Sequence, residues 1–399
     1  MRPFDGRRVL LVVSGGIAAY KSAILARRLI EAGASVDVIL TESAERFVGA
    51  VTFEGITARP VHTSVWDRPM AHLELGKRAD VAVVAPATAE TLARLAWGRA
   101  DDLATTTLLA ADCPVVLAPA MNTRMWEHAA TIRNVQFLQR NGATIVGPGV
   151  GPLAEREVGA GRMSEPPEIL AAVGRAIASG SALAGRHVVV TAGPTRAPID
   201  PVRFIGNRSS GRMGYALAAA AWRRGAEVTL VTGPGHAVRP PGPATFEVET
   251  AGEMLAAVEK ALTAADILIM AAAVSDFEAV EIAGSKIKKT TGGELDLKLA
   301  PAPDILSRTL GARRERGVFT LGFALETDDA LENGRRKLER KGLQLIAIND
   351  ATDPQSGFDV ATNRVSLLDE AGNLEEMPVL SKEELADRLL DRVEGVLET

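Results

Sequence analysis

Short apolar runs rich in β-branched residues alternate with longer segments whose apolar positions recur every three or four residues. Residues 9–13, 35–40, 81–85 and 114–118 have the first pattern, and 18–32 and 89–95 the second. Strands without a polar face must be covered on both sides. The alternation therefore predicts an α/β fold, a parallel sheet between two helical layers. A helix-like run at 166–178 leads into Ser179-Gly180-Ser181-Ala182, where small residues mark a boundary. The pattern then restarts: a strand at 188–191, a helix at 214–224, a strand at 227–231, an apolar run at 267–273 and a strand at 343–348. Two nucleotide-binding three-layer domains are expected, at 1–178 and 186–399, joined by a linker at 179–185.

A chain of 399 residues exceeds what one core usually serves, in keeping with two domains. The net charge of −5 lacks the basic footprint that nucleic acid requires. No apolar run approaches the roughly 20 residues of a membrane span. The short segment after Arg7 and Arg8 runs into Ser14-Gly15-Gly16 and is better read as a buried strand than as a signal peptide. The single cysteine, Cys113, precedes a strand and reads as a core thiol, and it rules out an internal disulfide framework. A cytoplasmic protein is expected.

Ligands of open α/β sheets sit beyond the carboxyl ends of the strands. There the first half places Ser14-Gly15-Gly16-Ile17, Thr41-Glu42-Ser43 and Pro86-Ala87-Thr88-Ala89. Paired glycines admit a phosphate at a helix N-terminus, and the hydroxyls suit a phosphate and its polyol chain, although helix capping explains the same side chains equally well. No G-x-G-x-x-G is present, which counts against a nicotinamide dehydrogenase. His72, and Asn122 within Pro119-Ala120-Met121-Asn122, are decided by neither spacing nor composition.

In the second half, Gly206-Asn207-Arg208-Ser209-Ser210-Gly211 has glycine spacing like a P-loop. Arg212 and Met213 stand where lysine and a hydroxyl would be needed. Asp276 ends an apolar run, Lys286-Ile287-Lys288-Lys289 is basic, and Lys337 and Lys341 share one helix face. Pro303-Asp304-Ile305, Phe323-Ala324 and Asn349-Asp350 complete the set.

Taken together, Gly15-Gly16-Ile17-Ala18, His72, Pro86-Ala87-Thr88-Ala89 and Pro119-Ala120-Met121-Asn122 with Met125-Trp126 resemble the phosphopantothenoylcysteine decarboxylases. These are flavoproteins of flavodoxin/Rossmann-like fold. Asn207-Arg208-Ser209-Ser210-Gly211 and the later residues resemble phosphopantothenate–cysteine ligase, in the bacterial form fused behind the decarboxylase.

The first resemblance implies FMN held by Ser14, Gly15, Gly16, Ile17, Thr41, Pro86, Ala87 and Thr88. It also implies acid/base handling of the substrate thiol by His72 and a carboxylate contact from Asn122. In one departure, Glu155 stands where the family carries a cysteine that helps protonate the intermediate. A partly buried carboxylic acid can hold a proton near neutral pH. The alternative is a flavin-binding module without catalysis, fused to an active ligase.

The second resemblance implies CTP contacts from Ala273, Asp276, Lys286, Pro303, Asp304, Ile305, Phe323, Lys337 and Lys341. Asn207 would hold an acyl cytidylate, Lys286 would aid its conversion, and Mg2+ would bridge the phosphates by ligands the sequence leaves unknown. The substrates implied are 4′-phosphopantothenate, cysteine and CTP, with 4′-phosphopantothenoylcysteine passing between the two activities. A homo-oligomer is also implied, built of decarboxylase trimers and ligase dimers and extending to a dodecamer. A flavin prenyltransferase is a weaker match, lacking the Pro-x-Met-Asn motif and the fused ligase.

Overall fold

The computed structural model describes residues 3–152, 158–178, 180–288, 295–326, 328–350 and 362–398. They divide into two compact units, Met1–Ser179 and Gly180–Thr399.

In the first unit the chain runs β1 (Arg8–Val13), α1 (Ala19–Glu31), β2 (Ser35–Leu40), α2 (Glu42–Glu45), β3 (Val61–His62), α3 (Ala71–Arg78), β4 (Val81–Ala87) and α4 (Ala89–Ala96). It continues through β5 (Val115–Pro119), α5 (Thr123–Trp126) and β6 (Thr144–Ile145). Among the described residues these strands form one parallel sheet in the order β3-β2-β1-β4-β5-β6. Strand alternation sends Val9, Leu11 and Val13 to one face, against Leu25 and Leu29 of α1 and Ile169 and Val173 of the helix Pro166–Ile177. Leu10 and Val12 go to the other face, against Leu75 and Leu92. Both faces are therefore core, as the uninterrupted apolar runs require. The order reverses between β1 and β4, and the loops leaving these two strands flank the resulting crevice.

The second unit repeats the plan with β7 (His187–Ala192), α6 (Arg212–Arg223), β8 (Glu227–Thr232), β9 (Ala244–Glu247), β10 (Ile267–Met270), α7 (Ile305–Arg316), β11 (Phe319–Glu326), α8 (Ala330–Lys341) and β12 (Leu345–Asp350). Two antiparallel edge strands, β13 (Ser366–Asp369) and β14 (Leu374–Glu376), and α9 (Lys382–Leu397) follow. The sheet order is β9-β8-β7-β10-β11-β12-β13-β14, so the crevice falls between β7 and β10. The alanine-rich α6 lies very close to the sheet. A Cβ on Gly214 would come 2.5 Å from that of Ala192, which leaves room only for glycine.

The segment expected to be a linker is largely part of the second unit. Leu183 is fully buried in its core, and Ser181 donates its hydroxyl to Glu394 of α9. Small residues permitted a flexible connection, but one leucine among them gains more by burial. No helix of the described residues is long and apolar enough to cross a membrane.

Candidate functional site

The crevice of the first unit is a cleft of about 1070 Å3, lined among others by Ser14–Ala18, Thr41–Ser43, Thr88, Ala120–Asn122 and Gly161–Met163. Gly15 passes so close to Ser43 that a Cβ would lie 2.4 Å from the serine's own. Only glycine lets the loop after β1 take this path. Ala18, at the N-cap of α1, provides no side-chain cap; the Ala19 and Lys21 amides turn back to the carbonyls of Gly16 and Ala18 at 2.9 and 3.0 Å, and the positive end of the helix dipole lies at the cleft.

The Ser14 hydroxyl is turned inward. It donates to the Pro86 carbonyl at 2.7 Å and accepts from the Thr88 amide at 3.3 Å, fastening the ends of β1 and β4 together. Thr41 and Thr88 cap α2 and α4 and also line the cleft. Pro86 and Ala87 are buried within β4 and do not line the cleft. The sequence placed them one step too late, because β4 continues to Ala87 and only then opens.

Asn122 caps α5. Its Oδ1 accepts from the Arg124 amide at 2.8 Å, leaving Nδ2 without a partner among the described residues at the cleft wall. Lys21 is buried and donates to the Met163 carbonyl at 3.1 Å and to Glu165 at 2.9 Å, which ties the segment just after the strand Val158–Arg162 to α1. His72 lies on α3 and is not part of this cleft. Glu155 lies outside the described residues. Cys113 packs at the edge of the core, and burial pushes its thiol pKa up, as for an unreactive cysteine.

The crevice of the second unit is larger, about 1350 Å3, and gathers Asn207, Ala273, Asp276, Pro303, Asp304, Ile305, Phe323, Lys337 and Lys341. Asn207 donates from Nδ2 to the carbonyls of Ala273 and Val274, each at 3.2 Å, so the glycine-rich loop is pinned to the chain leaving β10. Asp304 caps α7 by accepting from the Ser307 amide at 3.0 Å. It also accepts a hydrogen bond from Lys341, whose ammonium donates as well to the Ser307 hydroxyl at 2.6 Å. Burial works to raise the Asp304 pKa. Lys341 and the Ser307 groups outweigh it and hold the carboxyl below its ordinary range.

Lys337 donates to the Phe323 carbonyl at 2.8 Å. Burial pushes its pKa down, and neighbouring Lys341 adds to this against Glu326, Asp276 and Asp304. A desolvated ammonium next to a second one is a strong attractor for a polyanion.

Lys286 is exposed and outside this cleft. Its neighbour Ile287 is fastened elsewhere, donating its amide to Asp200 at 3.1 Å and accepting from Arg203 at 2.6 Å. Sequence reasoning missed Asn333, Arg336 and Arg340, which line the cleft. They continue the helical face of Lys337 and Lys341, and that spacing could have found them. It also missed Asn363 and Lys382, which no local pattern marks. The short pairing of Thr362–Asn363 with Leu380–Ser381 brings them in. Asn349 lines the same wall. Its Nδ2 donates to Asn363 at 3.1 Å, and its Oδ1 is buried without a partner among the described residues.

Residues 2–178 match the flavoprotein family model, and residues 183–397 match that of the DNA/pantothenate metabolism flavoprotein C-terminal domain. The chain is 46% identical to a Mycobacterium tuberculosis protein over 97% of its own length and 96% of the relative's. It is 43% identical to a Vibrio cholerae protein, over 98% of each chain. A Bacillus subtilis protein is also 43% identical, over 98% of this chain and 97% of that one. All three relatives are named coenzyme A biosynthesis bifunctional protein CoaBC. With two crevices at the reversal points of one parallel and one mainly parallel sheet, and family matches that divide at the same place, the chain belongs to the family of bifunctional coenzyme A biosynthesis proteins.

Proposed function

We propose that the two units catalyse consecutive steps of coenzyme A biosynthesis: CTP-dependent condensation of 4′-phosphopantothenate with cysteine in the second, then decarboxylation of 4′-phosphopantothenoylcysteine to 4′-phosphopantetheine in the first. The observation that carries this is the convergence of Asn207, Asp276, Asp304, Phe323, Lys337 and Lys341 in one crevice. These six residues come from five separate stretches of sequence, Lys337 and Lys341 sharing α8.

In the ligase step the substrate carboxylate attacks the α-phosphorus of CTP. An acyl cytidylate forms and pyrophosphate leaves; the cysteine amine then attacks the acyl carbon, and CMP departs. Lys337 and Lys341 suit neutralisation of the triphosphate as charge shifts to the leaving group. Asn207, held by the carbonyls of Ala273 and Val274, orients the loop beside the acyl cytidylate. Among the described residues no cluster of three or more His, Cys, Asp or Glu could hold an ion. Magnesium would enter with the nucleotide substrate and offset the charge of its phosphates.

The first cleft fits FMN in size, in its uncapped helix N-terminus and in its rim hydroxyls. Gly15, Gly16 and Ile17 would hold the phosphate, and Ser14, Thr41 and Thr88 would shape the wall beside it. When bound, FMN supplies a reversible two-electron acceptor. Asn122 offers Nδ2 to the substrate carboxylate and fixes it at the cleft wall until carbon dioxide leaves. His72 moves the proton of the substrate thiol, and Glu155 returns a proton to the product.

His72 and Lys286 lie outside the clefts of their own units, which supports a homo-oligomer in which neighbouring copies supply them. Trimers of the first unit and dimers of the second close together as a dodecamer.

The test is mass spectrometry of products from phosphopantothenate, cysteine, CTP and magnesium with FMN-loaded protein. Phosphopantetheine, CMP and carbon dioxide are expected. Accumulation of phosphopantothenoylcysteine would reduce the first unit to a flavin-binding module, and absence of CMP would overturn the ligase assignment.

A further inference from the structure

The inward face of α7 is formed by Ile305, Leu306, Thr309 and Arg313. An arginine at the end of an apolar stripe is unusual, and Arg313 is only 2% exposed. No carboxylate pairs with it among the described residues, and every N–H of its guanidinium meets an oxygen. Nη2 donates to the carbonyls of Leu306 at 2.9 Å and Lys341 at 2.7 Å. Nη1 donates to the Gly342 carbonyl at 3.1 Å and the Thr320 hydroxyl at 2.9 Å. Nε donates to the Thr309 hydroxyl at 3.3 Å. All five donors of the planar fork are engaged, a match that a lysine cannot reproduce.

Burial pushes the Arg313 pKa down to about 10, still far above neutrality, so the group is a buried cation. The negative end of the α8 dipole, where Lys341 and Gly342 present their carbonyls, offsets part of that burial cost. A fully satisfied polar network in low dielectric fixes geometry more tightly than apolar packing does.

The groups it fixes belong to the cleft. Leu306 is in the first turn of α7, beside the capping Asp304 and Ser307, and Lys341 ends α8. The Lys341 ammonium returns to Asp304 and Ser307. The two helix ends are thus joined twice, through their backbones by Arg313 and through their side chains by Lys341.

We propose that Arg313 is a positioning residue for nucleotide binding, setting the end of α8 against the start of α7 so that Lys341, Asp304 and Ser307 meet as one polar unit in the cleft. This rests on the assignment of that cleft to CTP.

Arg313→Lys keeps the charge and the stem but cannot span both pairs of oxygens. Ligase kinetics with CTP and with cysteine varied, together with thermal unfolding, would be measured for R313K, Lys341→Met, their double variant and Met254→Ala. The last removes core packing from the helix Ala251–Leu262, outside the cleft, as a control for lost stability. The expected result is a KM for CTP raised about tenfold by R313K, with the KM for cysteine within about twofold. The double variant should be no worse than Lys341→Met alone, because both changes act through one ammonium.

An unchanged CTP KM in R313K, fully additive effects, or the same rise in Met254→Ala would overturn the proposal. If R313K is unchanged while Lys341→Met raises the KM, this inference alone fails. If Lys341→Met also has no effect, the nucleotide assignment fails and takes the inference with it. Should R313K not fold, Thr320→Val removes one anchor of the same guanidinium at nearly constant shape. It should raise the KM for CTP about threefold, and no change would count against the proposal.

Discussion

Lys337 reaches from α8 to the Phe323 carbonyl on β11, at 2.8 Å, and stands desolvated in the wall of the larger cleft. Its pKa is lowered from 10.5, chiefly by burial. Below the lowered value, folded and unfolded chains both carry the proton and the full cost of burying the charge is present. As pH rises from there toward 10.5, the folded chain releases its proton first, so stability attributable to this position increases. Over the same interval kcat/KM for CTP should fall. Lys337→Met should abolish the stability slope and raise the KM for CTP by about tenfold or more. Thermal melts and initial rates across alkaline pH check both.

Asn207→Asp changes only Nδ2, the atom that donates to Ala273 and Val274. A carboxylate would meet two carbonyl oxygens and be repelled, releasing the loop. Ligase turnover should drop by about a hundredfold, and conversion of supplied phosphopantothenoylcysteine should stay within about twofold. Equal loss of both activities would point to misfolding instead.

For Asn122→Asp the cap on α5 survives, since aspartate accepts from the Arg124 amide as asparagine does. The Nδ2 donor is lost and a like charge faces the substrate carboxylate. Carbon dioxide release should fall by about a hundredfold or more, while CMP release is unchanged and the melting temperature barely moves. Paired radiometric and CMP assays measure this.

His72 lies outside the cleft that holds Asn122, so if a neighbouring copy supplies it, as proposed, a productive site can be assembled from two differently damaged copies. Co-expression of His72→Asn and Asn122→Asp chains should give mixed oligomers with decarboxylase activity well above either parent. If activity does not recover in mixed oligomers verified by native mass spectrometry, the two residues serve the same copy's site.

Gly15→Ala should be severe despite adding one methyl group. Its Cβ would fall 2.4 Å from the Ser43 Cβ and 2.8 Å from its backbone carbon, so the loop after β1 must move. Purified protein should retain little flavin absorbance after dialysis, and ligase rates should be preserved.

The alternation of apolar runs with helical periodicity was enough to expect two parallel α/β units, because a strand without a polar face can be stable only when covered on both sides. The order of motifs also put Asn207, Asp276, Asp304, Phe323, Lys337 and Lys341 on one list, and they do share a cleft. Pro86 and Ala87 were expected in the loop beyond the strand. They adjoin Thr88 in sequence, but the strand buries them and exposes only its end. Arg313 passed unnoticed, since an arginine among Arg313, Arg314 and Arg316 looks like a solvated helix end.

Local pattern and motif chemistry thus determined which elements form and which loops carry function. Those properties depend on residues within a few positions of each other. Tertiary structure alone decided that Arg313 turns inward to five oxygens, that Asn363 and Lys382 join the cleft, and that His72 and Lys286 stand outside the clefts of their own units. Each of these depends on which distant segments meet and on which side chain is desolvated when they do.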